Sequence, residues 1–193
     1  MGRSFEDICE EHLGVIGQLR GLEEVVQRVA ERMTHCILAG GKICFMGNGG
    51  SAADSQHLAA EFVGRFQRER KALAAIAFTT DSSILTAIAN DYGYDVVFER
   101  QASALCRPGD VAVGISTSGS SPNVLRGMAK ALEVGAYTVG MTGAQGGKLL
   151  ELCEECIQVP AESPARIQEG HMLIGHALCE LVEDAPEWVS ACA

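Results

Sequence analysis

Apolar residues recur every three or four positions from residue 5 to about residue 38, at Ile8, Leu13, Ile16, Leu19, Leu22, Val25, Val26, Val29, Met33 and Ile37. This is the period of an amphipathic helix, and Gly21 predicts a break within it. Beyond residue 38 the pattern changes to short apolar runs separated by helical stretches. Strands are expected at 42–46, 74–78, 110–115, 136–141 and 155–159, and helices at 51–65, 82–90, 95–105, 122–134 and 164–183, with a short turn or helix at 147–152. Strands alternating with helices predict an α/β fold, a parallel sheet covered on both faces. Gly135 ends one helix, and Pro122 takes a first helical position after a Ser121 cap. At 193 residues and 47% apolar content the chain is expected to form one domain over 1–193. The helical segment 1–38 would serve packing or oligomerisation.

Charge and composition narrow the class of partner. No run approaches the roughly 18 apolar residues that span a bilayer. The start Met1-Gly2-Arg3-Ser4-Phe5-Glu6 has an acid where an acylation motif wants Ser or Thr. A net charge of −10 argues against a nucleic-acid surface, and the only basic cluster is the short Arg65-Phe66-Gln67-Arg68-Glu69-Arg70-Lys71. Within it Arg65 is the candidate to flank an anionic substrate, with a solvated helix end as the plainer explanation. Eight cysteines lie mostly in apolar runs, the pattern of reduced thiols in a cytoplasmic protein. Cys153-x-x-Cys156 lacks a second half and is assigned no role.

Two loops carry the chemistry. Gly47-Asn48-Gly49-Gly50-Ser51 and Ser116-Thr117-Ser118-Gly119-Ser120-Ser121 each stand between a strand-like run and a helix-like run. Free N–H groups at helix starts, close backbone approach at glycine and serine hydroxyls all favour an anion. In a parallel sheet both loops open at the carboxyl edge. Gly47 to Ala52 also reads as G-x-G-x-x-A, but the acid that would hold a dinucleotide ribose is missing about 20 residues on, where Phe66-Gln67-Arg68 stands. A second hydroxyl-rich loop suits a phosphomonoester, whose oxygens need several converging donors. The ligand expected is a small phosphorylated metabolite.

His57 and Glu61 stand four apart in the helix opened by the first loop and share one face. Gln168, Met172 and His176 form a stripe on the last helix. Singly, such residues are commonly a hydrogen-bonded core histidine or a surface ion pair. Eight residues along a helix span about 12 Å, so a shared ion would lie between Gln168 and His176, or one ligand would cross from a neighbouring chain. His12, His35, His171 and Trp188 are expected to be structural.

Taken together, Gly47-Asn48-Gly49-Gly50-Ser51, His57, Glu61, Asn90-Asp91, Ile115 through Ser121, Met141-Thr142-Gly143 and Arg166-Ile167-Gln168-Glu169 through His176 resemble the phosphoheptose isomerases of the sugar isomerase (SIS) fold family. The resemblance runs nearly end to end. It implies a three-layer sandwich with a five-stranded parallel sheet, in a homotetramer whose active sites lie between subunits. It further implies conversion of sedoheptulose 7-phosphate to D-glycero-D-manno-heptose 7-phosphate through an enediol, for lipopolysaccharide or other surface glycans. Zinc would be held by His57, Glu61, Gln168 and His176, with Glu61 and His176 as the catalytic pair. Asn48, Gly49, Gly50, Ser51, Glu61, Arg65, Asn90, Asp91, Ser116, Thr117, Ser118, Ser121 and Gln168 would contact substrate. Ser163-Pro164-Ala165 departs from relatives that carry Asp or Thr before the Arg-Ile-Gln-Glu run. Two other functions share the fold: a scaffold that binds a replication initiator, disfavoured by Glu61, His176 and Ser118, and a sugar-phosphate sensor, which needs no acid–base pair.

Overall fold

The computed structural model describes residues 2–185 and Trp188. Strands β1 (Ile43–Gly47), β2 (Ala75–Ala77), β3 (Val111–Ile115), β4 (Tyr137–Thr142) and β5 (Glu155–Gln158) form one sheet in the order β2-β1-β3-β4-β5, with every pairing parallel. Successive side chains of a strand leave opposite faces. Ile43 and Phe45 accordingly enter one apolar layer and Cys44 and Met46 the other. The first layer is covered by α2 (Glu23–Leu38), α3 (Gly50–Val63) and α8 (Pro164–Glu183). The second is covered by α5 (Val97–Leu105), α6 (Pro122–Val134) and α7 (Gly147–Leu152), with α4 (Ser82–Tyr92) packed beside α5.

The amino-terminal run divides near Gly21 as its sequence implied. α1 (Phe5–Gln18) ends in a 3-10 turn at Leu19–Leu22, and α2 follows. A capping box opens α1: Asp7 N–H donates to Ser4 Oγ, and Ser4 N–H to the Asp7 carboxylate. The two helices have different tasks. α2 buries Val26, Val29, Ala30, Met33 and Ile37, whereas α1 buries only Val15 and leaves Phe5 and Leu13 exposed. No helix among the described residues is long and apolar enough to cross a membrane.

Because every strand runs the same way, all five carboxyl ends meet one edge. The strand order reverses between β1 and β3, which opens a crevice at that edge where ligands of such sheets bind. Both phosphate-type loops leave the sheet there. The described cysteines are free thiols, and burial pushes Cys36 up to about 11 and Cys153 and Cys179 up to about 12. Those three are therefore poor nucleophiles. Cys192 lies outside the described residues. Trp188 is buried and its indole N–H donates to Val182 O, so it packs an end of the chain.

His171 is fully buried on α8, with Nε2 3.1 Å from Thr142 O at the end of β4. The carbonyl can only accept, so Nε2 carries the proton. Burial pushes its pKa down to about 4, partly offset by that hydrogen bond. The folded value thus lies below the unfolded one, and the unfolded chain binds more protons between the two. Stability is therefore lost as pH falls below about 6.5 toward 4. Between pH 7 and pH 5 the wild type is expected to lose about 2 kcal/mol more than His171→Phe, measured by urea unfolding at both pH values.

Candidate active site

The loop after β1 turns at Gly49, whose φ of 56° lies in the left-handed region, and α3 begins at the next residue. Its first-turn N–H groups open toward the crevice. Ser51 is buried in that turn, and Asn48 crosses to the second loop. Asn48 Nδ2 donates to Asn123 Oδ1 and Asn123 Nδ2 donates to Asn48 Oδ1, both at 2.8 Å. Asn123 Oδ1 also accepts the Val124 N–H at 3.0 Å, which fixes the orientation of the amide pair. Tyr94 O–H reaches Asn48 Oδ1 at 3.4 Å. Sequence reasoning found Asn48 and missed Asn123 and Tyr94. The available signal was a polar residue one position after Ser121-Pro122, inside a helix start that faces a ligand edge.

In the second loop the hydroxyls face one another: Ser116 Oγ lies 3.0 Å from Ser121 Oγ and 3.4 Å from Ser118 Oγ. Ser121 occupies the N-cap position of α6, but its side chain does not cap the helix. Its hydroxyl is committed to Ser116 instead; Pro122 has no N–H and Val124 N–H is taken by Asn123 Oδ1, so Asn123 supplies the first-turn donor that remains. Gly119 has φ 62°, and a Cβ there would stand 1.9 Å from Gly146 O, so only glycine lets the two loops interlock. Leu149 N–H donates to Gly119 O, and Gly143 N–H to Thr117 O, completing the seam.

The reactive groups come from α3 and α8. A Cβ on Gly175 would lie 2.6 Å from Leu58 Cδ2, so bare glycine allows the helices to approach beside both His57 and His176. His57 Nε2 stands 3.2 Å from His176 Nε2 and 3.2 Å from Glu61 Oε1, and the three ligating atoms lie within 4.8 Å of one another. Donors at roughly 2.0–2.1 Å from a tetrahedral ion stand about 3.3 Å apart. His57, Glu61 and His176 therefore fit a divalent metal such as zinc, and they do so within one chain. Gln168 packs against Gly50, where a Cβ would meet its Nε2 at 2.5 Å, at the amino end of the same helix pair. Asp54 stands one turn before His57 on the same face, with Oδ2 buried and unbonded. Desolvation raises its pKa, and the nearby His57 opposes the rise.

No hydrogen bond or ion pair among the described residues joins Arg65, Asn90 or Asp91 to this cluster. Arg65 is exposed, and its recorded ion pair is with Glu69 at 3.8 Å. Asn90 Nδ2 donates to Asp91 Oδ1 at the exposed end of α4, and no hydrogen bond among the described residues joins either side chain to the loops. His12 pairs with Glu169 at 2.6 Å, which ties α1 to α8.

A model of the SIS domain family matches residues 14–143. The phosphoheptose isomerase of Aquifex aeolicus is 58% identical over 145 residues, 75% of this chain and 76% of its own. That of Paramagnetospirillum magneticum is 55% identical over 173 residues, 90% and 89% of the two chains. The structure of the phosphoheptose isomerase from Neisseria gonorrhoeae has a TM-score of 0.86 at 44% identity, covering 91% of this chain and 95% of that one. Likeness of this extent, over nine tenths of the chain for the second relative and the solved structure, shows the family: the chain belongs to the phosphoheptose isomerase family of SIS-domain proteins.

Proposed function

We propose that the protein converts sedoheptulose 7-phosphate to D-glycero-D-manno-heptose 7-phosphate, supplying heptose for lipopolysaccharide or another surface glycan. The observation that carries this reading is the convergence of Glu61 and His176 beside two loops built for a phosphomonoester. The phosphate would sit among Ser51, Ser116, Thr117, Ser118 and Ser121, with N–H groups from the start of α3 and the Asn123 N–H of α6. Asn48, Gly49 and Gly50 would line its approach.

The isomerisation moves two protons. A base removes hydrogen from C1 of the ketose and returns it to C2 of the aldose, while a second group carries a proton from the C1 oxygen to the C2 oxygen. Glu61 suits the first task and His176 the second. His57, Glu61 and His176 would hold zinc, with Gln168 as the fourth ligand. Zinc when bound supplies Lewis acidity toward the sugar oxygens. A carboxylate engaged with a metal is a weaker base, so Glu61 would exchange one role for the other as substrate enters.

A homotetramer with sites between subunits accounts for the exposed apolar side of α1 and for the exposed Arg65, Asn90 and Asp91, which no hydrogen bond among the described residues joins to the loops of their own chain. A second copy would bring them to its neighbour's substrate. Free thiols suit a reducing compartment and support a cytoplasmic enzyme.

NMR-monitored turnover of sedoheptulose 7-phosphate with added zinc tests the reading. Wild type is expected to form the aldoheptose phosphate, and Glu61→Gln and His176→Ala to lose about 10²–10⁴-fold in kcat. A chelator is expected to abolish turnover until zinc is restored. Folded, zinc-loaded wild type without product would overturn it. Asn123→Ala leaves the Asn48 amide without its partner between the loops. It is expected to raise KM about tenfold and to cost about 1–3 kcal/mol in urea unfolding.

A further inference from the structure

The basic segment after α3 is organised by a buried ion pair. Arg70 Nε lies 3.0 Å from Glu183 Oε1, with side-chain exposures of 3% and 1%. The guanidinium also donates to the carbonyl oxygens of Glu61, Phe62, Gly64 and Lys71. The Glu183 carboxylate, at the end of α8, accepts the N–H groups of Phe66, Gln67 and Arg68 at 3.1, 2.7 and 2.8 Å. Against the desolvation that would raise it, these donors and Arg70 hold the carboxyl below the usual carboxylate range. Burying two charges is costly unless each is well bonded; apart from Arg70 Nε, which meets Glu183 Oε1 without hydrogen-bond geometry, the bonds are spent on the end of α3 and the loop that follows it.

That loop delivers Phe66 to His176. The two rings are stacked, with centroids 5.3 Å apart and planes inclined by 20°, while His57 meets the same imidazole edge-on at 5.0 Å and 61°. An imidazole has a broad, nearly two-fold torsion about its last bond. A ring against its face confines the plane, which an edge contact alone does not, and the approach of Nε2 to His57 Nε2 selects between the two orientations in that plane.

We infer that Phe66 is a positioning residue for the isomerisation: its ring fixes the plane of His176 so that Nε2 stays aimed at His57 and Glu61. Glu183 and Arg70 hold Phe66 in that place. The inference rests on the isomerase reading for its kinetic consequence but not for its geometry.

Phe66→Leu keeps apolar bulk and removes the ring; Phe66→Tyr keeps the ring. Three measurements are made on both variants and wild type: histidine ¹H–¹³C spectra, titration of zinc alone into metal-free protein, and kinetics with sedoheptulose 7-phosphate. The His176 resonances are expected to carry a ring-current displacement in wild type and Phe66→Tyr and to lose it in Phe66→Leu. Zinc affinity and kcat are expected to fall about ten- to a hundredfold in Phe66→Leu, with KM nearly unchanged because the phosphate loops are untouched. Phe66→Tyr is expected to retain both. Zinc affinity unchanged in Phe66→Leu, equal losses in both variants, or no displaced His176 signal in wild type would overturn the assignment. Absence of turnover by wild type with the displaced signal and zinc binding intact would overturn the isomerase reading instead.

Discussion

The site depends on how closely α3 and α8 lie on the same face of the sheet. Leu58 occupies the space that a side chain on Gly175 would need, and the residues next to this contact in sequence are His57 and His176. At the amino ends of the two helices Gln168 lies against Gly50 in the same manner. Two contacts of this kind fix both the spacing and the rotation of the pair, so the imidazoles face each other at 3.2 Å rather than entering solvent separately. Leu58, Phe62, Ile174 and Leu178 are nearly fully buried in the layer between these helices and the sheet. Each such side chain contributes about 1.5–3 kcal/mol, and the reactive groups themselves need add nothing to stability.

The sheet supplies the second half of the site by topology. Reversal of strand order between β1 and β3 opens the crevice, and the loops on either side are joined by the Asn48–Asn123 amide pair. The backbone interlock at Gly119 ties the second loop to the segment after β4. The two Gly- and Ser-rich loops and the His57–Glu61–His176 cluster therefore belong to different parts of one frame. The loops are set by the sheet edge, and the cluster by the helix pair that starts at that edge.

Much of this was legible in the sequence because it is local. The period of apolar positions places the strands and helices within a few residues, and the Gly-Ser loops fall, as read, between a strand end and a helix start. The i, i+4 spacing of His57 and Glu61 puts them on one face. What was not legible depends on distant segments. The resemblance groups His176 with His57 and Glu61, but nothing near His176 in sequence gives the physical cause of their meeting, which is the Gly175 contact. The Ser121 side chain reads as a helix cap and instead bonds Ser116, because a second loop hydroxyl is within reach. In the basic cluster the sequence drew attention to Arg65, while the buried member is Arg70. Its partner Glu183 lies more than a hundred residues away, so no local pattern distinguishes the two arginines.

The central claim is that Glu61, held by α3 opposite His176 of α8, transfers hydrogen between C1 and C2 of the sugar. The most direct measurement is exchange of the C1 hydrogens of sedoheptulose 7-phosphate with solvent deuterium, followed by NMR with zinc-loaded wild type and Glu61→Gln. The account predicts exchange in wild type, deuterium at C2 of the aldose product, and neither in Glu61→Gln. Undiminished exchange in Glu61→Gln, or none in wild type, would contradict it.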